Sequence, residues 1–144
     1  MKILIKNGLI VNENQIFESD ILVNGELIEK IDKKISSDYA DNIIDCEGSL
    51  ILPGIIDDQV HFRDPGYPNK ATIYSESRAA VAGGVTSYFE MPNTDPTTTT
   101  LHRLNQKFHI ASKSSLANYS FMFGGTNQNI EEIKKLPQNE IPGI

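Results

Sequence analysis

A single cysteine among 144 residues leaves this chain without an internal disulfide. A disulfide-free chain with a free thiol is expected in a reducing compartment, so the cytoplasm is the expected location. No catalytic-cysteine signature surrounds Cys46, which reads as a half-buried strand residue rather than a nucleophile. Basic side chains are also few: 13 Lys and Arg against 19 Asp and Glu give a net charge of -6. They are scattered along the chain, leaving no stripe to neutralise phosphates or anionic headgroups, so no nucleic acid and no membrane is expected as a partner. Long apolar runs are missing as well. The opening MKILIKNGLIV is interrupted by Lys6, Asn7 and Gly8, which makes it neither a membrane span nor a signal peptide. No Gly-x-Gly-x-x-Gly follows a strand, and the dinucleotide-binding version of an α/β sheet loses its main support. The 39% of hydrophobic residues still suffices for a core and excludes wholesale disorder.

What is present divides at about residue 50. Residues 1–50 hold short runs of β-branched and aliphatic residues, Ile3–Ile5, Leu9–Val11, Ile21–Val23 and Leu27–Ile31, separated by Asn7-Gly8 and Asn24-Gly25. Asn-Gly suits the positive φ angles of a hairpin turn, so this part reads as a small antiparallel, β-sandwich-like module. Residues 51–144 alternate strand and helix. Ser49–Ile56 feeds into Asp57–Phe62, a helix is predicted over Ala71–Val81 ending at Gly83-Gly84, and a strand over Val85–Met91. Asp95-Pro96 reads as the start of a second helix with Leu101, Leu104, Phe108 and Ala111 at helical spacing, with Thr97–Thr100 as its poorly helical opening. A strand over Ala117–Phe123 and a short helix over Asn129–Leu136 complete three units. Such alternation requires a parallel sheet with helical crossovers, open or closed into an eight-unit barrel. A (β/α)8 barrel needs about 250 residues, and Ile141-Pro142-Gly143-Ile144 looks like the opening of a fourth strand, so a truncated chain is expected.

The densest polar cluster is Asp57, Asp58, Gln59, His61, Arg63 and Asp64, followed by the Pro65-Gly66 turn. Strand alternation would place Asp57, Gln59 and His61 on one face, at the strand end where barrel enzymes build their sites. Imidazole and carboxylate suit a divalent transition metal, and a neutral amide is a weaker donor. Arg63 offers a planar fork that matches a carboxylate. Glu90-Met91-Pro92-Asn93-Thr94 leaves the second strand at the same end, where Asn93 offers both a donor and an acceptor. His102 and His109 are seven apart on one helix, about 10.5 Å along its axis, too far to share a metal.

Four segments together resemble the N-terminal part of a dihydroorotase of the amidohydrolase superfamily: Leu52-Pro53-Gly54-Ile55-Ile56-Asp57, His61-Phe62-Arg63-Asp64-Pro65-Gly66, Ala82-Gly83-Gly84-Val85-Thr86 and Glu90-Met91-Pro92-Asn93-Thr94. The resemblance implies an α/β fold, the N-terminal part of a (β/α)8 metal-dependent hydrolase barrel preceded by the small β module. It also implies zinc, one or two ions, and a zinc-dependent, reversible hydrolysis of dihydroorotate to N-carbamoyl-L-aspartate in pyrimidine biosynthesis. Family members carry His-x-His on the first barrel strand. His61 matches the second histidine as a metal ligand, while Gln59 stands at the first. Arg63 matches the arginine that holds the substrate carboxylate, and Asn93 a substrate-binding asparagine. The family's bridging carboxylated lysine, two later histidines and catalytic aspartate have no counterpart in this chain, so the chain is expected to be an inactive fragment with no catalytic residue of its own. An allantoinase or other cyclic amidohydrolase is the near alternative, although allantoinases typically place Asn where Arg63 stands. Gln59 keeps a noncatalytic assembly subunit in view. The expected partner is a small-molecule substrate, and a homo-oligomer is left open.

Overall fold

The computed structural model describes residues 1–144. They form two compact units, Met1–Pro53 and Gly54–Ile144.

In the first unit, β1 (Lys2–Asn12), β2 (Gln15–Asn24) and β3 (Leu27–Asp32) pair antiparallel as expected. β4 (Asn42–Asp45) and β5 (Leu50–Ile51) then join β1 in parallel, so the sheet is mixed. It is one five-stranded sheet. Asn7-Gly8 is no hairpin turn. It lies inside β1, where the register with β2 slips between Ile5 and Gly8 and Asn7 takes a φ of 56°. A bulge leaves a backbone donor unpaired, and buried Asp20 satisfies it, accepting from Asn7 N–H at 3.3 Å and from Ile35 N–H at 2.9 Å. The β1–β2 turn is made by Glu13 and Asn14, at φ 48° and 61°, the doubly positive pair of a type I′ turn. Gly25 opens the β2–β3 turn at φ 60°. Leu4, Leu22 and Ile35 form this unit's small core. Cys46 is half-buried, directly after β4.

The second unit is a parallel sheet in the order β6–β7–β8, built from β6 (Ile55–Val60), β7 (Val85–Glu90) and β8 (Asn118–Phe121). Helices α1 (Ile73–Ala82), α2 (Leu101–Ser114) and the single turn α3 (Ile130–Ile133) follow the strands. Their core joins Val60, Phe62, Ile73, Tyr88, Leu104, Ala111 and Phe121. α1 begins at a capping box between Thr72 and Ser75, with Asp64 Oδ2 accepting the Ile73 N–H at 3.0 Å. These contacts satisfy donors that every helix start leaves unpaired.

α2 starts five residues later than Asp95-Pro96 suggests. Its cap is Thr100, whose hydroxyl accepts from Arg103 N–H at 3.3 Å. The intervening residues are committed elsewhere: Thr98 N–H donates to Pro92 O at 2.9 Å, Thr98 O accepts from Gly124 N–H at 2.8 Å, and Asp95 N–H donates to Pro65 O at 3.1 Å. Bonds between loops outcompete a helical turn in a run of β-branched threonines. No helix in the structure is long and apolar enough to cross a membrane.

Candidate functional site

β6 and β7 run parallel, so their C-terminal ends and the loops after them share one rim. Pairing jumps from Asp57–Tyr88 to Val60–Glu90, one more residue on β6 than on β7. This bulge breaks the alternation that would have put Asp57 on the face of Gln59 and His61. Asp57 Oδ1 instead accepts the Gln59 N–H at 3.1 Å. Gln59 and His61 remain together: both are exposed and alternate with buried Val60 and Phe62. Asp58 is exposed, and Asp64 serves as the α1 start already described.

His61 is tied across the rim. Its Nδ1 lies 2.9 Å from Asn93 Oδ1, and just below, Met91 N–H donates to Val60 O at 3.0 Å. An amide oxygen can only accept, so in this arrangement Nδ1 carries a proton. The two loops also meet at Gly66, which has a φ of 111° and stands where any Cβ would strike the Asp95 backbone.

Arg63 follows His61 by two residues and adopts a φ of 65°, a left-handed conformation that non-glycine residues seldom take without support from their surroundings. The chain has two other arginines, and both are engaged. Arg78 stacks 3.6 Å from the Tyr74 ring and donates to the carbonyls of Tyr74 and Ser114. Arg103 donates to Thr97 O and Thr99 Oγ1. Half-buried Arg63 enters none of the four ion pairs and donates no side-chain hydrogen bond, so its fork is unspent. A cavity of about 270 Å³ opens beside Asn93, between Pro92, Thr97, Thr99 and Gly124–Thr126. A larger groove of about 540 Å³ runs between Pro65, Pro96 and the His102–His109 side of α2. None of His61, Arg63 and Asn93 lines it.

Beneath the rim lies a pair that the sequence reading passed over. Lys107 Nζ stands 3.0 Å from Glu90 Oε2, with each side chain 1% exposed. Burial pushes the Glu90 carboxyl up and the Lys107 ammonium down from their ordinary values, and each partner opposes the shift of the other. The signal was present: Lys107 interrupts the stripe of Leu104, Phe108 and Ala111, and a charge on an apolar stripe needs a buried partner. Tyr88 is a structural neighbour. Burial pushes its hydroxyl up to about 12, and it lies 3.1 Å from Ser115 Oγ.

The donors facing the rim amount to one imidazole nitrogen and one neutral amide oxygen. A structural or catalytic zinc ion takes three or four protein ligands, and no group of three His, Cys, Asp or Glu side chains converges anywhere in these 144 residues. By themselves they do not make a zinc site.

The dihydro-orotase-like family matches residues 48–135. A dihydroorotase from Methanosarcina acetivorans is 40% identical over 132 residues, 92% of this chain and 28% of that protein. An allantoinase from Desulfitobacterium hafniense is 37% identical over 143 residues, 99% of this chain and 32% of that protein. Among solved structures, an L-hydantoinase (dihydropyrimidinase) from Arthrobacter aurescens superposes with a TM-score of 0.92 at 32% identity, over 98% of this chain and 32% of that one. The chain thus spans about 30% of the length of these relatives. With the rim motifs, the parallel β/α units and these likenesses in agreement, the chain belongs to the dihydroorotase-like family.

Proposed function

We propose that these residues form the carboxylate-binding rim of a dihydroorotase, which interconverts dihydroorotate and N-carbamoyl-L-aspartate. In the hydrolytic direction the ring C–N amide bond breaks, water oxygen bonds to the carbonyl carbon, and the departing nitrogen takes a proton. The reverse direction releases that water. Arg63 carries this reading: it is the one arginine whose fork is unpaired, and it is held half-buried beside the His61–Asn93 bridge. A bidentate Arg–carboxylate contact gives orientation as well as affinity. Asn93, on the facing loop, reads a polar group of the same ligand while its Oδ1 holds the His61 ring. His61 Nε2 and the Gln59 side-chain oxygen are this chain's share of any metal ligand set. The general base and the other ligands are not among these residues, so no turnover is expected from residues 1–144 alone.

Allantoinase and hydantoinase likenesses keep another cyclic amide hydrolase as a second reading, and Gln59 at a ligand position supports a noncatalytic relative. The charged fork favours the substrate that bears a carboxylate over neutral allantoin. The test is nuclear magnetic resonance of residues 1–144 titrated with N-carbamoyl-L-aspartate, dihydroorotate and allantoin. Saturable shifts of Arg63 Nε–Hε and the Asn93 amide with the two carboxylates, and none with allantoin, are expected. Equal response to allantoin, or none to either carboxylate, would sink the reading.

A further inference from the structure

Lys107 sits in the middle of the α2 face that packs on the sheet, fully enclosed by the core around Leu104, Ala111 and Phe121. Its Nζ has three neighbours: Glu90 Oε2 at 3.0 Å, the Met91 carbonyl, to which it donates at 3.2 Å, and the Phe121 ring, 4.9 Å to its centroid. Glu90 ends β7, and Met91 leads through Pro92 into Asn93. The buried pair therefore touches the backbone that leads into the ligand-reading Asn93. An apolar pair of similar volume would fill the same space at equal or greater stability, so packing alone does not account for two buried charges here.

Without the pair, a backbone acceptor of the segment that carries Asn93 would lose its donor. Met91 O lies two residues before Asn93, and its donor is Lys107.

We infer that Lys107 is a positioning residue: paired with Glu90, it sets the Met91–Asn93 segment so that the Asn93 side chain meets the ligand carboxylate that Arg63 holds. The inference rests on reading Arg63 and Asn93 as the carboxylate-binding pair, and it adds a consequence that needs no ligand. The Asn93 side chain must stand where it holds the His61 ring, so the Nδ1–H form of His61 depends on Lys107.

The experiment compares residues 1–144 as parent, Lys107→Met, the double variant Glu90→Gln/Lys107→Met, and Tyr88→Phe. Tyr88→Phe is the control for stability alone, since it removes only the hydroxyl bond to Ser115. All are read in trimethylamine N-oxide, which favours the compact state and keeps weakened variants folded. The ¹⁵N shifts of the His61 ring report its tautomer, and Arg63 Nε–Hε reports N-carbamoyl-L-aspartate binding. In both Lys107 variants His61 is expected to become a tautomer mixture, and binding to weaken about tenfold to a hundredfold, the scale of a misplaced contact. Tyr88→Phe should melt earlier with tautomer and affinity unchanged. Lys107 variants that keep the Nδ1–H form and bind within about twofold of the parent, inside the usual scatter of independent sites, would overturn the inference. A Lys107 variant that stays unfolded while Tyr88→Phe folds would also overturn it, by making Lys107 a folding residue only. If the parent itself shows no response to N-carbamoyl-L-aspartate, the carboxylate reading falls, and the His61 tautomer still decides the positioning role.

Discussion

His61 Nδ1 and Asn93 Oδ1 lie 2.9 Å apart across 32 residues of chain. That single contact joins the loop after β6 to the loop after β7, and it engages only one of the two imidazole nitrogens. The proposed carboxylate clamp depends on this bridge, because Arg63 belongs to one loop and Asn93 to the other.

Arg63→Ala is expected to abolish the response of residues 1–144 to N-carbamoyl-L-aspartate, at a cost on the order of 2 to 5 kcal/mol where the contact is desolvated. Arg63→Lys should recover only part of it, since an ammonium cannot reproduce the fork. Calorimetric titration measures both, and an alanine variant that binds like the parent would mean the clamp is misassigned.

In a full-length protein that supplies the remaining ligands, Gln59→His should tighten zinc binding by about tenfold or more, because imidazole replaces a neutral amide two residues before His61. Competition against a chromophoric chelator provides the measurement. Equal affinity in parent and variant would place position 59 outside any coordination sphere.

Lys107→Met should destabilise the second unit in a pH-dependent way. Burial raises the Glu90 carboxyl and Lys107 pulls it back, so in the variant mainly the upward push remains. An acid whose folded pKa lies above its unfolded value contributes stability fully present below the ordinary 4.5 and lost as pH rises through the folded value. The deficit relative to the parent should thus be smallest near pH 4.5 and grow to about 3 to 5 kcal/mol at neutral pH, the cost of stranding one buried charge. Urea melts across that range test it, and a deficit that shrinks on going to neutral pH would contradict it.

Gly66→Ala should lower the melting temperature and loosen the His61–Asn93 bridge. A Cβ there would meet the Asp95 backbone, and the φ of 111° is itself unsuited to alanine. The loss expected is about 1 to 3 kcal/mol. An unchanged melt would show that the loops yield at no cost.

Self-association is expected of residues 1–144. β6 and β8 each have a strand on one side only, and Ile55 and Ile56 are 53% and 62% exposed. Open strand edges with apolar neighbours recruit further chains. Sedimentation velocity over a concentration series reads this directly, and a monomer at every concentration would refute it.

Local chemistry alone determined a good deal of this protein. The β/α alternation after residue 50, the α1 stop at Gly83, the α2 stripe of Leu104, Phe108 and Ala111, and the chemical types at 59, 61, 63 and 93 all follow from periodicity and side-chain chemistry, which act over a few residues. Tertiary structure decided the rest. The bulge between Asp57 and Val60 depends on pairing with β7, so strict alternation misplaced Asp57. Asn7-Gly8 became a bulge because β1 continues past it against β2, with Asp20 supplying the acceptor from another strand. The α2 cap moved to Thr100 because Pro65, Pro92 and Gly124 claim the intervening backbone. The partner of Lys107 was set by the fold, which brings Glu90 Oε2 to 3.0 Å from its Nζ. Each of these outcomes turns on a partner many residues away. A hydrogen bond or ion pair made at such a separation leaves at most an interrupted pattern in the chain that carries it.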